Sequence, residues 1–290
     1  MPAPYKLGIV TTHPIQYQVP WFQRLARMAE IDLTVFFCHM PDEVQQGDGF
    51  GVAFAWDLPL LEGYRYQVLE NVAKQPSISR FDGCDTPSIK THVRDGGFDA
   101  ILVNGWVVKS CLQTLRACRR HGVPCLVRGE ANAIRHRPWW KRAVHRWLVR
   151  QYAACLYIGK SNRQFYRERG VPEDRLFPAR YFVDNKRFAT QSAAVGRTVA
   201  RRRWGIPEDR VVFLYSGKFI QKKHPAELLR AFHVAREQTS QIHLLMVGDG
   251  ELRHSCERYA AEHRLAATFT GFLNQGEIPA AYAASDCLVL

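Results

Sequence analysis

VVFLYSGKFIQKKHPAELLRAFH, residues 211 to 233, is a short apolar run, a turn at Gly217 and a stretch whose apolar residues fall at helical spacing. The pattern predicts a strand, a tight turn and a helix. Three lysines, Lys218, Lys222 and Lys223, crowd the turn. It is not a Walker P-loop, because Gly217-Lys218 lacks the upstream glycine and the Ser or Thr that follows the lysine there. Backbone N–H groups at a helix start, a glycine that permits close approach and flexible ammonium groups nevertheless suit a phosphate. Taken alone, residues 216 to 225 read equally well as a solvated basic turn.

Working outward, the same strand–helix rhythm recurs. Strands are expected at 6–10, 31–37, 99–103, 124–127 and 154–158, with helices from about Val19, at 108–120 and at 138–152. Pro20 sits in the first turn of its helix, where proline is tolerated, and Val19, Phe22, Leu25 and Ala26 share one face. A polar, glycine-containing stretch at 41–52 is followed by a more irregular region through residue 90, and Ser161 stands where it would cap a further helix. A polar, arginine-rich stretch interrupts the rhythm, and a linker is expected near 189–200. After the strand at 211–215, the order is helix 225–237, strand 242–247, helix from about 251, strand 267–270, helix 277–284 and strand 287–290. Repeated units of this size imply mainly parallel sheets covered by helices on both faces. The expected fold is α/β, with two Rossmann-like doubly wound domains at 1–192 and 193–290. Such domains bind ligands at the carboxyl ends of their strands, in the cleft between the two.

At 290 residues, 47% hydrophobic and 12% aromatic, the chain has the composition of a globular protein with room for two cores. No apolar stretch approaches the ~20 residues that span a bilayer, and the N-terminus does not read as a signal peptide. The eight cysteines are scattered without metal-like spacing, as expected of buried free thiols in a reducing cytosol. The formal net charge is +13, which favours polyanions without choosing among them. Residues 135–150 hold six Lys or Arg and no acid, together with Trp139, Trp140 and Trp147. Helical spacing puts Trp140, Val144, Trp147 and Leu148 on one side. Trp140, Lys141, Arg142, Arg146 and Trp147 are thus candidates for an anionic membrane surface. A core-packed helix with a solvated basic face fits the same pattern. No nucleic-acid motif accompanies it, so no nucleic-acid partner is expected.

The second half resembles a known family. "SGKFIQKKHPAELLRAF", "LLMVGDGELR" and "TFTGFLNQGEIPAAYAASDCLVL" resemble, in order and spacing, the carboxyl-terminal domain of GT-B glycosyltransferases, specifically family 4. The likeness is close over 175–290 and looser before it, through "HPIQYQVPWF", "VRGEAN", "YIGKSNRQFY" and "YFVDNKRF". It implies a retaining transferase. Such an enzyme moves a sugar from a nucleoside-diphosphate sugar to a glycan or lipid-linked acceptor, in surface polysaccharide or glycolipid synthesis. It implies no obligatory cofactor or metal; the free thiols and the basic aromatic helix add the expectation of a cytoplasmic protein that can sit peripherally on the inner face of the membrane. By the resemblance Gly217, Lys218 and Lys223 hold the donor diphosphate. Positive charge already in place there stabilises the leaving group. Gly248, Asp249, Gly250 and Leu273 stand near the nucleotide. Asp249 reads equally as part of a helix-entry turn.

Two departures matter. The family's Glu-x7-Glu motif has no counterpart before Leu290, so the expectation is a second domain that is incomplete and a chain inactive by itself. The first domain lacks the glycine-rich loop and the histidine that many relatives carry. His13, after the first strand, and Arg128 with Glu130, after a middle one, are the catalytic candidates at those strand ends. Each has a structural alternative, a turn residue for His13 and an ion pair for Arg128 and Glu130, and no catalytic base is assigned. Two other functions remain open. One is a nucleotide-sugar 2-epimerase of the same architecture; the other is a basic, non-catalytic RNA-binding or interaction protein.

Overall fold

The computed structural model describes residues 3–290. Among them the chain forms two compact units, one built from residues up to Pro41 with Pro59–Val183, the other from Asp42–Leu58 with Asp184–Leu290.

The first unit holds strands β1 (Tyr5–Thr11), β2 (Ile31–Phe37), β3 (Arg65–Val68), β4 (Ala100–Asn104), β5 (Cys125–Arg128), β6 (Ala154–Tyr157) and β7 (Leu176–Pro178). They form one parallel sheet in the order β3-β2-β1-β4-β5-β6-β7. Its helices are α1 (Val19–Ala26), α3 (Ile89–Asp95), α4 (Lys109–His121), α5 (Trp139–Val149) and α6 (Lys160–Glu168); the short α2 (Glu43–Gln46) belongs to the other unit. Alternate residues of each strand enter opposite cores, as the pleat requires. Val10, Ile101, Val103 and Val127 pack under α3 to α6, whereas Ile9, Leu33, Val35 and Leu102 pack with Val19 and Phe22 of α1. Burial on both faces is why these strands read as plain apolar runs.

Strands β3 and β7 left no such signal because they are sheet edges. All four residues of β3 are exposed, and β7 is a three-residue strand ending in Pro178. Proline is tolerated at an edge. The cap expected at Ser161 is a further difference: α6 begins at Lys160 with Gly159 in the cap position. The Ser161 hydroxyl instead accepts the Ala133 N–H at 3.3 Å.

The second unit holds α7 (Asn185–Val195), α8 (Arg197–Arg203), β8 (Val211–Ser216), α9 (Pro225–Gln238), β9 (Ile242–Val247), α10 (Arg253–Glu262), β10 (Ala267–Gly271), α11 (Ile278–Ala284) and β11 (Cys287–Leu288). Its parallel sheet runs β10-β9-β8-β11, with β9 buried along its whole length. The fold is therefore α/β with two parallel sheets, the second smaller, as the strand–helix rhythm predicts. The boundary expected at 192/193 falls inside α7, and most of the expected linker is helical. The reason is packing: Phe188 meets Tyr282 edge-on at 5.8 Å, Arg187 donates to the Gln275 carbonyl at 2.8 Å, and Ser192 donates to the Pro279 carbonyl at 2.9 Å. Seven of the eight cysteines are buried free thiols and Cys287 is exposed. No helix among the described residues is long and apolar enough to cross a membrane.

The arginine cluster at 197–203 divides in two. Arg203 is exposed and pairs with Glu277, but the side chain of Arg201 is fully buried. Its guanidinium donates to the carbonyls of Ala284, Pro207, Glu208 and Arg210 at 2.7–3.2 Å and to Asp286 at 2.8 Å. It ties α8 to the segments entering β8 and β11. Removing one partner of a buried ionic network costs about 3–5 kcal/mol, because the groups left behind stay buried and unpaired. Arg201→Ala is expected to destabilise the protein by that much in thermal or urea unfolding, and Arg203→Ala by less than about 1 kcal/mol. Equal, small effects would contradict the bracket.

Candidate functional site

Three loops follow the carboxyl ends of β8, β9 and β10, and backbone hydrogen bonds lace them together. The Gly217 N–H donates to Val247 O at 3.0 Å, Phe219 N–H to Asp249 O at 2.8 Å, Leu252 N–H to Phe219 O at 2.9 Å, and Gly248 N–H to Gly271 O at 2.9 Å. The approach is closer than any side chain allows. A Cβ on Gly248 would overlap the Gly217 carbonyl, and one on Gly250 would lie 2.8 Å from that of Phe219. Both glycines also hold positive φ, +130° and +146°, where an L side chain is strained.

On this frame the sequence-predicted donor residues come together. Lys218 is half-buried; burial is the main cause lowering its pKa, and the nearby charge of Lys223 adds to the shift. The turn Gln221–Lys223 leads into α9, whose cap residue His224 is left-handed at φ 53° and whose first position is Pro225. No side chain caps α9, which leaves its first-turn N–H groups after Pro225 without a capping acceptor. Lys222 and Lys223 are both exposed beside it. A glycine turn, an uncapped helix start and two lysines within electrostatic reach of each other make an anion-binding arrangement.

Two neighbouring residues are already occupied. Asp249 accepts from the Gly250 N–H at 2.8 Å and from Arg253 at 2.5 Å, so its carboxylate holds the turn in shape. Leu273 is 7% exposed and packs with Val212, Leu214, Leu245 and Val247 in the core. Its side chain is therefore part of the core and not of the loop surface. The preceding residue, Phe272, is half-buried and lies against Phe50 and Phe54 at ring distances of 5.1 and 4.2 Å. Those two come from Asp42–Leu58, a part of this unit read from sequence only as a polar, glycine-containing stretch.

In the first unit His13 and Arg128 follow β1 and end β5, with β4 between those strands. His13 lies 2.9 Å from the Thr12 hydroxyl, and burial, helped by His39, pushes its pKa down to about 4. Near pH 7 it is a neutral hydrogen-bonding group. Arg128 is buried and donates to Ala179 O and Arg180 O at 3.1 and 3.2 Å, with Trp21 and Tyr181 against its guanidinium. It brackets the 179–181 segment and is not bonded to Glu130. Glu130 is exposed and accepts the Tyr181 hydroxyl instead. Sequence reasoning missed Gln18, which accepts from Thr11 and Asn104 at 3.3 and 3.1 Å beside the end of β1.

Helix α5 turns Leu148 and Val149 inward and half-buries His145. Of the expected apolar side only Leu148 is core. Trp139, Trp140, Val144 and Trp147 are 80, 51, 54 and 62% exposed. Lys141 stands 5.1 Å from the Trp140 ring, and Arg142 and Arg146 are exposed. A separate basic concavity of about 470 Å³ lies between α3 and α4, lined by Lys90, Arg94, Arg116, Arg120 and His121. Among the described residues no group of three or more His, Cys, Asp or Glu is placed to hold a metal.

The sequence profile of the family described as "Glycosyl transferases group 1" matches residues 196–290, which contain the three laced loops. A glycosyltransferase from Rickettsia africae has a similar structure, with a TM-score of 0.68 at 12% identity over 98% of this chain and 72% of its own. Anabaena Alr3699/HepE in complex with UDP scores 0.64 at 13% identity, covering 98% and 73%. UDP-N-acetylglucosamine 2-epimerase from Rickettsia bellii scores 0.56 at 12%, also covering 98% and 73%. The two-sheet architecture is thus one that these glycosyltransferase and epimerase structures share. No curated protein sequence matches the chain.

The lacing makes Gly248 the least replaceable position of the site. Gly248→Ala is expected to cost at least about 2–3 kcal/mol from φ strain and displacement of the Gly217 turn. An unchanged unfolding midpoint in Gly248→Ala would show that the loops are not held in this contact.

Proposed function

We propose that the protein is a retaining glycosyltransferase of the family 4 type, moving a sugar from a nucleoside-diphosphate sugar to a glycan or lipid-linked acceptor. The observation that carries this reading is the turn at Gly217-Lys218. There a half-buried ammonium lies within electrostatic reach of a second lysine, on the turn that leads into an uncapped helix start. The match over residues 196–290 covers that turn, and the similar Anabaena protein is described in complex with UDP. Lys218 and Lys223 bind the donor diphosphate. As the bond from the anomeric carbon to the diphosphate oxygen breaks, negative charge builds on that oxygen, and cations already in place stabilise it. His13, neutral near pH 7, offers hydrogen bonding to the acceptor or the sugar. The proposed setting is the synthesis of a surface polysaccharide or glycolipid. In that setting α5 rests on the anionic inner face of the membrane through Trp140, Trp147, Lys141, Arg142 and Arg146.

A second reading, a nucleotide-sugar 2-epimerase, is favoured by one observation: UDP-N-acetylglucosamine 2-epimerases are among the similar structures. Labelled UDP-sugar separates the two. Transfer of label to an added acceptor supports the transferase; an altered sugar still attached to UDP, formed without acceptor, supports the epimerase.

Each charge-assisted contact to the diphosphate is worth roughly 1.5–3 kcal/mol, or about ten- to a hundredfold in affinity. Lys218→Ala and Lys223→Ala are each expected to weaken UDP or GDP binding by that factor in calorimetry. Lys222→Ala, which removes the same charge one residue away, should change it less than about threefold. Unchanged binding in the Lys218→Ala, Lys223→Ala double variant would remove the site.

For the membrane face, co-sedimentation with vesicles containing anionic lipid is expected, falling with salt and absent with neutral lipid. Trp140→Ala with Trp147→Ala should reduce it strongly while leaving the unfolding temperature unchanged, because both rings are exposed. Equal vesicle binding by the double variant would contradict the assignment.

A further inference from the structure

Asp42–Leu58 leaves the sequence of the first unit and folds onto the donor-side loops of the second. It is a built element. Asp42 caps α2 through the Gln45 N–H at 2.8 Å, and the Phe54 N–H returns to Glu43 O at 3.1 Å, closing the loop on itself. Its far end is tied to the loop after β10. Asn274 donates to Ala55 O at 2.7 Å, and the Gly276 N–H donates to Asp57 at 2.8 Å. Its tip, Gly47-Asp-Gly-Phe-Gly51, lies on the laced turns. The Lys218 ammonium donates to the Asp48 carbonyl and stands 4.6 Å from the centre of the Phe50 ring. A Cβ on Gly49 would come within 3.1 Å of Lys218, and one on Gly51 within 3.9 Å of the Gly250 Cα. Gly49 and Gly51 hold φ +76° and +74°, so the tip needs glycine both for its path and for this approach. Phe50 is pinned in turn by Phe54 at 5.5 Å and Phe272 at 5.1 Å.

We propose that the Gly47–Gly51 turn is the roof of the donor-diphosphate site and that Phe50 is a positioning residue for Lys218. The proposal rests on the donor-site reading and adds a segment that neither the lysine turn nor its resemblance includes. The ring face attracts the ammonium and keeps the long side chain from swinging into solvent. The Asp48 carbonyl holds one of its three N–H donors until a ligand arrives. A diphosphate is the stronger acceptor, since its bond to the ammonium is charge-assisted on both sides. It takes the place of the Asp48 carbonyl, and the aromatic contact stays. Affinity is gained because the ammonium is ordered before the ligand binds. Partial exclusion of water by the roof strengthens the same contact.

Calorimetric titration of the whole protein with UDP, and separately with inorganic pyrophosphate, tests this on Phe50→Ala, Phe50→Leu and Phe50→Tyr, with Lys218→Ala alongside. Ring and ammonium together are worth about five- to tenfold in affinity. Phe50→Ala and Phe50→Leu should therefore weaken both ligands by that factor, and Phe50→Tyr should bind within about twofold of the parent. Leucine refills the apolar space against Phe54 and Phe272, so near-parental binding by Phe50→Leu would reduce Phe50 to a packing residue and overturn the proposal. Tighter binding by Phe50→Ala would also overturn it, since the turn would then be an obstacle the ligand must push aside. Lys218→Ala keeps the two levels apart. If it abolishes binding while Phe50→Ala does not change it, the roof fails and the donor site stands. If it leaves binding unchanged, the roof fails with it, and unchanged binding when Lys223→Ala is added removes the donor site itself. Amide hydrogen exchange gives a second readout that needs no variant: UDP should slow exchange across 47–51, and unchanged exchange there would contradict the roof.

Discussion

The close backbone contact between the Gly217 and Gly248 turns is the constraint on which the rest of the site depends. Two strand-end turns this close leave no room for a Cβ between them, so their polar groups meet directly, and Gly248 in turn bonds the end of β10. The price is two glycines held at φ values other residues rarely adopt. What it secures is a held path for the glycine turn that carries Lys218 and leads toward α9. Charge stabilisation of a departing diphosphate is effective only when the stabilising groups need not reorganise. A turn held by three backbone hydrogen bonds to the end of β9 and the loop after it meets that condition better than flexible lysines on an open surface.

The basic residues of this chain fall into distinct physical roles that the net charge alone conceals. Arg201 and Arg128 are buried and spend their donors on carbonyl oxygens, bracketing backbone where the chain turns. Their planar, forked guanidinium suits that task. Lys218 is half-buried, and Lys223 is exposed beside an uncapped helix. The cations of α5 lie beside exposed tryptophans, an arrangement suited to a flat anionic surface.

Most of the fold was legible because fully buried parallel strands announce themselves as apolar runs between amphipathic helices. Strands β1, β2, β4, β8 and β9 all lie where that pattern puts them. The edge strands β3 and β7 were silent for the complementary reason, having little buried face. The candidate anion turn was legible because lysine, glycine and a helix start are local features. The burial of Arg201 was not, since Arg201-Arg-Arg203 reads as uniform charge and only distant partners, the carbonyls of Pro207, Glu208, Arg210 and Ala284 and the carboxylate of Asp286, decide which arginine goes inside. Segment 42–58 was illegible for the same reason. Its partners are Lys218, Phe272 and Asn274, far along the chain, and "GDGFG" by itself reads as a loop. Leu273 shows the reverse case, a loop residue that the resemblance puts near a nucleotide and whose side chain is core.

A crystal structure of the protein with UDP tests the central claim most directly. The account predicts the diphosphate at the Gly217 turn, with phosphate oxygens within hydrogen-bond distance of the Lys218 and Lys223 ammonium groups and of backbone N–H groups at the start of α9. A well-ordered diphosphate in the Arg94, Arg116 and Arg120 concavity, with the Gly217 turn empty, would contradict it.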